Sequence, residues 1–254
     1  MLQNIKMGIK IATRNFDLIP EIYANRKIID FIEILLLPEF NVEDIKIIQN
    51  LEMPYAIHIP AGIYDLDFGN SQKQTKNLDY IKRINKYNKE LKPFCYIVHP
   101  ESRDIELSIF NFKKLQLSPI ALENMPKESH LGGDLLGFDP QGLQEFFNRI
   151  PVLEFCFDIN HAIKTAISLN ADPLTFINEF LVFKNPLIFH IAGGTLSTPI
   201  DEHLNLDEGQ YAMSEIKKIL LHQNYIVNLT FETPKSTEKT IKNDLKNIKY
   251  FLNL

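Results

Sequence analysis

The sequence predicts an α/β fold, a (β/α)8 TIM barrel forming one domain over residues 1–254, and three observations lead there. Short apolar, β-branched runs alternate with longer amphipathic runs along the chain, the pattern of parallel β/α units. The strand-like runs number eight, and eight units in 254 residues suit the usual size of such a barrel. No Ser/Gly-rich linker, charge block or low-complexity tract divides the chain. A doubly wound open sheet shares the alternation, but it ordinarily carries a Gly-rich loop after its first strand, and the segment KIATRNFD has no glycine. The Gly-Gly pairs at 132–133 and 193–194 are isolated turn signals that match no phosphate-binding fingerprint.

The strands are expected at 6–12 (KMGIKIA), 30–37 (DFIEILLL), 55–59 (YAIHI), 94–100 (FCYIVHP), 120–124 (IALEN), 154–159 (EFCFDI), 186–193 (PLIFHIAG) and 225–233 (YIVNLTFET). Helical periodicity falls between them at 42–51, 75–91, 140–150, 173–183 and 211–223, and 237–252 closes the chain. The fourth unit is the weakest, with a short and poorly capped helix candidate at 108–116.

With 45% apolar and 23% charged residues the chain is globular, and it is long enough to bury a core without staples. The net charge of −5 leaves no strongly basic footprint for nucleic acid, although a local basic patch stays possible. Cys95 and Cys156 both lie in apolar strand-like runs, which predicts buried thiols and a reducing cytoplasm. The first residues lack the apolar stretch of a signal peptide and no window is long enough to span a membrane, so a cytoplasmic, soluble protein is expected, with no membrane association and no obligate protein partner inferred.

A barrel builds its active site at the C-terminal ends of its strands, and there the polar residues collect. Strand two carries Glu33, and strands three and four end near His58 and His99. Strand five ends at Glu123, six at Asp158 with His161 just beyond, seven at His190 and eight at Glu232. One such residue alone is more often a satisfied core or loop group. Together they reverse that expectation, because so many ionisable groups in one mouth are costly to bury unless a cation binds. Imidazole and carboxylate without thiolate suit Zn, Mn or Fe. Asp158 and His161 (D-x-x-H) and Asp201 and His203 (D-x-H) each form a bidentate segment, which implies more than one ion.

These segments, Y-A-I-His58, I-V-His99-P, L-Glu123-N, F-Asp158-I-N-His161-A, F-His190-I-A, Asp201-E-His203-L-N-L-D-E-G and F-Glu232-T-P, resemble the endonuclease IV family within the xylose-isomerase-like superfamily, in family order from residue 55 to 234. In that family nine ligands hold three metal ions, and all nine have a counterpart here. The resemblance implies that Glu123 bridges two ions with His58 and His99 on the first, that Asp158, His190 and Glu232 hold the second, and that His161, Asp201 and His203 hold the third. It makes Glu123, Glu232 and His203 the catalytic candidates, with two or three Zn2+ ions as cofactor and Mn2+ or Fe as alternatives. It also implies metal-dependent phosphodiester hydrolysis on DNA with abasic or damaged sites, with no protein nucleophile. One departure is Asp207, which stands where the family motif has its first glycine.

Sugar isomerases and epimerases of the same superfamily resemble the chain at Glu123, Asp158, His190 and Glu232, where they hold a single metal. A small sugar or sugar phosphate is therefore the alternative substrate, and His58, His99, Asp201 and His203 are the features that favour the hydrolase. Ile63 and Tyr64, together with the run Arg14 to Phe16, are candidates for a DNA-gripping wedge or for ordinary loop anchors. The basic run Lys73, Lys76, Lys82, Arg83, Lys86, Lys89 and Lys92 is a solvated helix face or a phosphate-contacting surface. His222, late in a helix, is expected to be structural. His130 lies near the expected mouth, and Glu33 is expected either to hold a ligand histidine or to face a sugar hydroxyl.

Overall fold

The computed structural model describes residues 4–100, 104–130, 132–234 and 239–254. Eight parallel strands, β1 (Ile5–Ala12), β2 (Phe31–Leu35), β3 (Tyr55–His58), β4 (Tyr96–Val98), β5 (Ile120–Glu123), β6 (Glu154–Asp158), β7 (Ile188–Ile191) and β8 (Val227–Phe231), close into a barrel in chain order. All eight expected strands are present, and all but β1 are shorter than the apolar runs because pairing ends where the chain leaves for a loop. Around the barrel run α1 (Ile19–Ala24), α2 (Val42–Gln49), α3 (Gln74–Asn85), α4 (Ile105–Lys114), α5 (Pro140–Arg149), α6 (Ile159–Ser168), α7 (Pro173–Phe183), α8 (Met213–Leu221) and α9 (Lys242–Asn253).

The two faces of β1 show how the barrel fills. Ile5, Met7, Ile9 and Ile11 join the large apolar core between sheet and helices, so period-two alternation sends Gly8 and Lys10 to the inside. Gly8 has no side chain because the ring of its neighbour Phe31 occupies that space, and a Cβ there would lie 2.2 Å from it. Phe31, Ala56, Cys95, Ile97, Ala121, Cys156 and Ile188 form a second buried apolar cluster. Both cysteines are free and buried, as expected.

Helix starts follow capping chemistry. Asn41 and Asp44 form a reciprocal capping box on α2, and Asp139 and Asp172 cap α5 and α7, each with proline in the first turn. The helix of the fourth unit is better capped than the sequence implied. It starts earlier than expected, because Asp104 Oδ1 accepts from the Leu107 amide at 3.1 Å. The helix expected at 75–91 ends at Asn85, and α1 and α6 were absent from the expected periodic segments. Helix α6 repeats Ile159, Ala162, Ile163, Ala166 and Ile167 with period 3.6, and its polar residues Asn160, His161, Lys164 and Thr165 are buried as well. Among the described residues no helix is long and apolar enough to cross a membrane.

Candidate metal centre at the barrel mouth

Strand register sets the site. Lys10 lies beside Glu33 across β1 and β2, Asp158 beside His190 across β6 and β7, and His190 beside Thr230 across β7 and β8. His99 and Glu232 each follow directly on a strand end, while His161 sits in the first turn of α6 and Asp201 and His203 on the loop after β7. The nine residues singled out from sequence meet at the barrel mouth in overlapping sets of donor atoms, which can be followed in three groups.

In the first group His58 Nε2 and His99 Nε2 are 2.9 Å apart, and Glu123 Oε2 is 3.2 Å from His99 Nε2 and 3.9 Å from His58 Nε2. In the second, His190 Nδ1 faces Glu232 Oε1 at 2.9 Å, Glu123 Oε1 at 3.4 Å and Asp158 Oδ2 at 3.8 Å. In the third, Asp201 Oδ2 is 2.6 Å from His203 Nε2 and 3.5 Å from His161 Nε2. Glu123 thus presents one oxygen to each of the first two groups.

These donor sets fit cations. Donors bound at zinc distances in a tetrahedron stand about 3.3 Å apart, and the observed separations bracket that value. Asp158 Oδ2 is buried and accepts no hydrogen bond, a cost that a cation would remove. Burial lifts the Asp158 carboxyl above its usual range despite the nearby His161.

The outer nitrogens of four histidines are tied down. His58 Nδ1 is 2.8 Å from Glu33 Oε1, and His190 Nε2 is 2.9 Å from Glu33 Oε2. His161 Nδ1 donates to the Asn124 carbonyl and His203 Nδ1 to the Glu232 carbonyl, both at 2.8 Å. At His161, His190 and His203 a proton held on the outer nitrogen leaves the inner one a lone pair, which is what a metal requires. His203 sits at φ +48°, a left-handed conformation that costs a non-glycine residue roughly 1–2 kcal/mol. The loop holds it there through paired bonds between Gly193 and Leu204, each 2.8 Å. Gly193 is required at that approach, since a Cβ would lie 2.2 Å from the Asn205 carbonyl oxygen.

Two groups exceed what sequence reasoning resolved. Glu33, fully buried, also accepts from Thr230 Oγ1 at 2.8 Å, so it holds two histidines at once. Burial alone would raise its carboxyl, but the charges of His190 and Lys10 outweigh burial and hold it well below the usual range. Lys10 was not singled out. Its Nζ is 2.6 Å from Glu232 Oε1, 2.8 Å from His58 Nδ1 and 3.3 Å from Glu33 Oε1. Burial opposes its charge, and the carboxylates of Glu232, Glu33 and Glu123 more than restore it. Burial and the Lys10 charge push His58 down to about 4. The signal for Lys10 was available as its even parity in β1, once the odd face is known to be the outer one.

A cleft beside the second and third groups is lined by Lys10, Arg14, Asn15, Tyr64, His203 and Glu232. Phe16 packs against the core instead, and the side chain of Ile63 lies outside the described residues. In the basic run, Lys73 and Lys76 both pair with Asp65, and Arg83 donates to the Pro38 and Phe40 carbonyls while lying 4.5 Å over the Phe40 ring. His222 ends α8 with Nδ1 donating to the Lys218 carbonyl at 2.6 Å, the structural role expected of it. His130 is exposed, in the loop between β5 and α5, and joins none of the three groups.

Fold and site define a closed parallel barrel whose mouth gathers imidazole and carboxylate donors able to hold metal. The chain belongs to the xylose isomerase-like TIM barrel family, whose model matches residues 41–251. Among solved structures it is similar to endonuclease IV from Thermus thermophilus, with TM-score 0.72, 16% identity, and coverage of 98% of this chain and 99% of that one. A D-tagatose 3-epimerase-like protein is similar at TM-score 0.69 and 20% identity, covering 98% and 97% of the two chains. The TTHB071 protein from T. thermophilus, soaked with ZnCl2, is similar at TM-score 0.64 and 16% identity, covering 98% of each chain. No curated protein sequence matches the chain.

Proposed function

We propose that this protein is a metal-dependent phosphodiester hydrolase that holds three cations, most simply Zn2+, with DNA carrying abasic or damaged sites as the leading substrate. The observation that carries the reading is the number of donors beyond those one ion needs: Glu123 turns one oxygen to His58 and His99 and the other toward His190 and His161, while His161 Nε2 and His203 Nε2 converge on Asp201. A single-metal isomerase needs only Glu123, Asp158, His190 and Glu232. Bound cations supply Lewis acidity and neutralise charge developing on a phosphodiester. The chain's own residues orient the donors: Glu33 fixes His58 and His190, and the Asn124 and Glu232 carbonyls fix His161 and His203. Glu123, Glu232 and His203 are the residues proposed to stand nearest the reacting atoms, and the similarity to an endonuclease IV agrees with this assignment.

One observation favours the epimerase alternative. Asp65 pairs with both Lys73 and Lys76 at the start of α3 and offsets one of their two charges, which reduces the cations that side offers a duplex backbone. A small ketose or sugar phosphate suits such a mouth, in keeping with the similarity to a D-tagatose 3-epimerase-like protein.

The deciding experiment assays metal-loaded protein on abasic-site duplex DNA and on a panel of ketoses. Cleavage of the DNA is expected, and His203→Ala should lower turnover more than affinity, because the third cation acts mainly on the transition state. Rapid ketose epimerisation with no DNA cleavage under any metal tested would overturn the hydrolase reading.

A further inference from the structure

The turn of α6 that carries His161 also carries a lysine with no access to solvent. Lys164 follows His161 by three residues, so the two emerge on neighbouring parts of the helix surface. Its Nζ donates to the Thr195 carbonyl at 2.9 Å, the Thr198 carbonyl at 3.0 Å and Glu202 Oε2 at 2.5 Å, which engages all three ammonium donors. All three acceptors lie on the loop after β7. Glu202 stands between Asp201 and His203, and its Oε2 also accepts from the Thr195 amide and hydroxyl, each at 2.8 Å.

A second contact from the same helix reaches the adjacent residue. Asn160 Nδ2 donates to Asp201 Oδ1, which leaves Asp201 Oδ2 for His161 and His203, and Asn160 Oδ1 accepts from Tyr211 Oη at 2.5 Å. One helical turn therefore grips Asp201 and Glu202 from Asn160, His161 and Lys164 together. A fully buried ammonium is retained only when it is paired and hydrogen-bonded. The pair fastens together the two segments that supply the third donor group.

We propose that Lys164 and Glu202 are positioning residues for the third cation site: their ion pair, in which the lysine is fully buried, holds the loop after β7 against α6, so that Asp201 and His203 meet His161. The inference rests on the metal reading above and adds to it the residues that build one particular site. Neither side chain is proposed to touch metal or substrate. Removing an outer partner of a metal ligand commonly weakens metal affinity by about 10- to 100-fold. That loss should fall on one binding step and spare the others.

The test titrates metal-free full-length protein with Zn2+ by calorimetry and with Co2+ by visible absorption, for the wild type, Lys164→Met and Glu202→Gln. The milder Glu202→Gln keeps an acceptor oxygen beside Lys164 and alters a partly exposed side chain, so it reports even if Lys164→Met does not fold. Three steps are expected in the wild type. In the variants the third step should weaken by roughly 10- to 100-fold, with its Co2+ band altered and the first two steps unchanged. Three wild-type steps in Glu202→Gln, or uniform weakening of all steps, would overturn the proposal. A wild type that takes up fewer than three equivalents would instead overturn the three-cation reading, and this assignment with it.

Discussion

At the scale of single residues, Glu33 and Lys10 show what a polar group inside a barrel does. Glu33 reaches His58 with one oxygen and His190 with the other, so losing its charge loosens two candidate ligand histidines together. Glu33→Gln should weaken the first two metal-binding steps by about 10- to 100-fold and leave the third near wild type, as read by chelator competition. Its position in a strand was legible, but its target was not. Whether a mid-strand carboxylate meets a ligand or a substrate depends on the register of strands far apart in sequence. The third donor group carries its own pH signature. In the metal-free chain burial opposes charge on His161 and His203, but Asp158 and Asp201 outweigh it, raising His161 to about 10 and His203 to about 9. Folded values above the unfolded one mean that these pairs stabilise metal-free protein fully below about pH 6.5, with the contribution lost as pH rises through 9 to 10. A cation must displace those protons, so affinity at the third step should rise with pH up to that range and binding near pH 7.5 should release about two protons. Calorimetry in buffers of different ionisation enthalpy measures this, and a pH-independent third step would contradict it.

Elements carry double duties where strand meets helix. Asp158 ends β6, and its Oδ1 accepts from the His161 amide at 2.8 Å as the N-cap of α6, while Oδ2 faces the donor group. Substitutions separate the two tasks. Asp158→Asn keeps a capping oxygen, so under chelation its melting should stay close to wild type while the second metal step is lost. Asp158→Ala should lose that step and also about 1 kcal/mol of stability from the cap. Equal melting of both variants without metal would show that the cap contributes nothing. The same junction marks the boundary of what the sequence showed. The eight strands were legible because fully buried parallel strands are short apolar runs. Helix α6 was passed over although Ile159, Ala162, Ile163, Ala166 and Ile167 recur with period 3.6, because it begins at Ile159, inside the apolar run read as strand six, with no turn residue between; His161 within it was placed correctly in its first turn. The nine candidate donors were legible from strand ends and from the family resemblance. Lys164 and Glu202 were not, since an isolated lysine in a helix and a glutamate in a loop look solvent-exposed until the fold brings them together.

At the scale of the whole molecule, the mouth concentrates Glu33, Glu123, Asp158, Asp201 and Glu232 around five histidines and Lys10, while the chain as a whole carries a net charge of −5. Cations that bind only the folded state stabilise it, by about 2.7 kcal/mol for one site at a hundred times its Kd. In a chain of this size that corresponds to roughly 5–10 °C in Tm. Chelation should therefore lower the melting temperature by at least about 5 °C and added Zn2+ should restore it, and an unchanged Tm would count against every cation at the mouth. The same charge distribution makes a sharper demand on the substrate. An overall negative chain attracts a duplex only through local cations, and among the lining residues of the cleft those are Lys10 and Arg14. Lys10 is already engaged by Glu232 and Glu33, so phosphate contacts must be few. Each contact to a B-form duplex lowers log K by about 0.9 per log unit of salt through counterion release. If abasic DNA is the substrate, its binding should therefore show a shallow slope, of magnitude roughly 1 to 2 for one or two such contacts, made shallower by about 1 in Arg14→Ala. Ketose binding should show almost no salt dependence, because a neutral sugar displaces no counterions. A slope near zero for duplex binding, beside saturable salt-independent binding of a ketose, would move the assignment from phosphodiester hydrolysis to sugar isomerisation on the same donor groups.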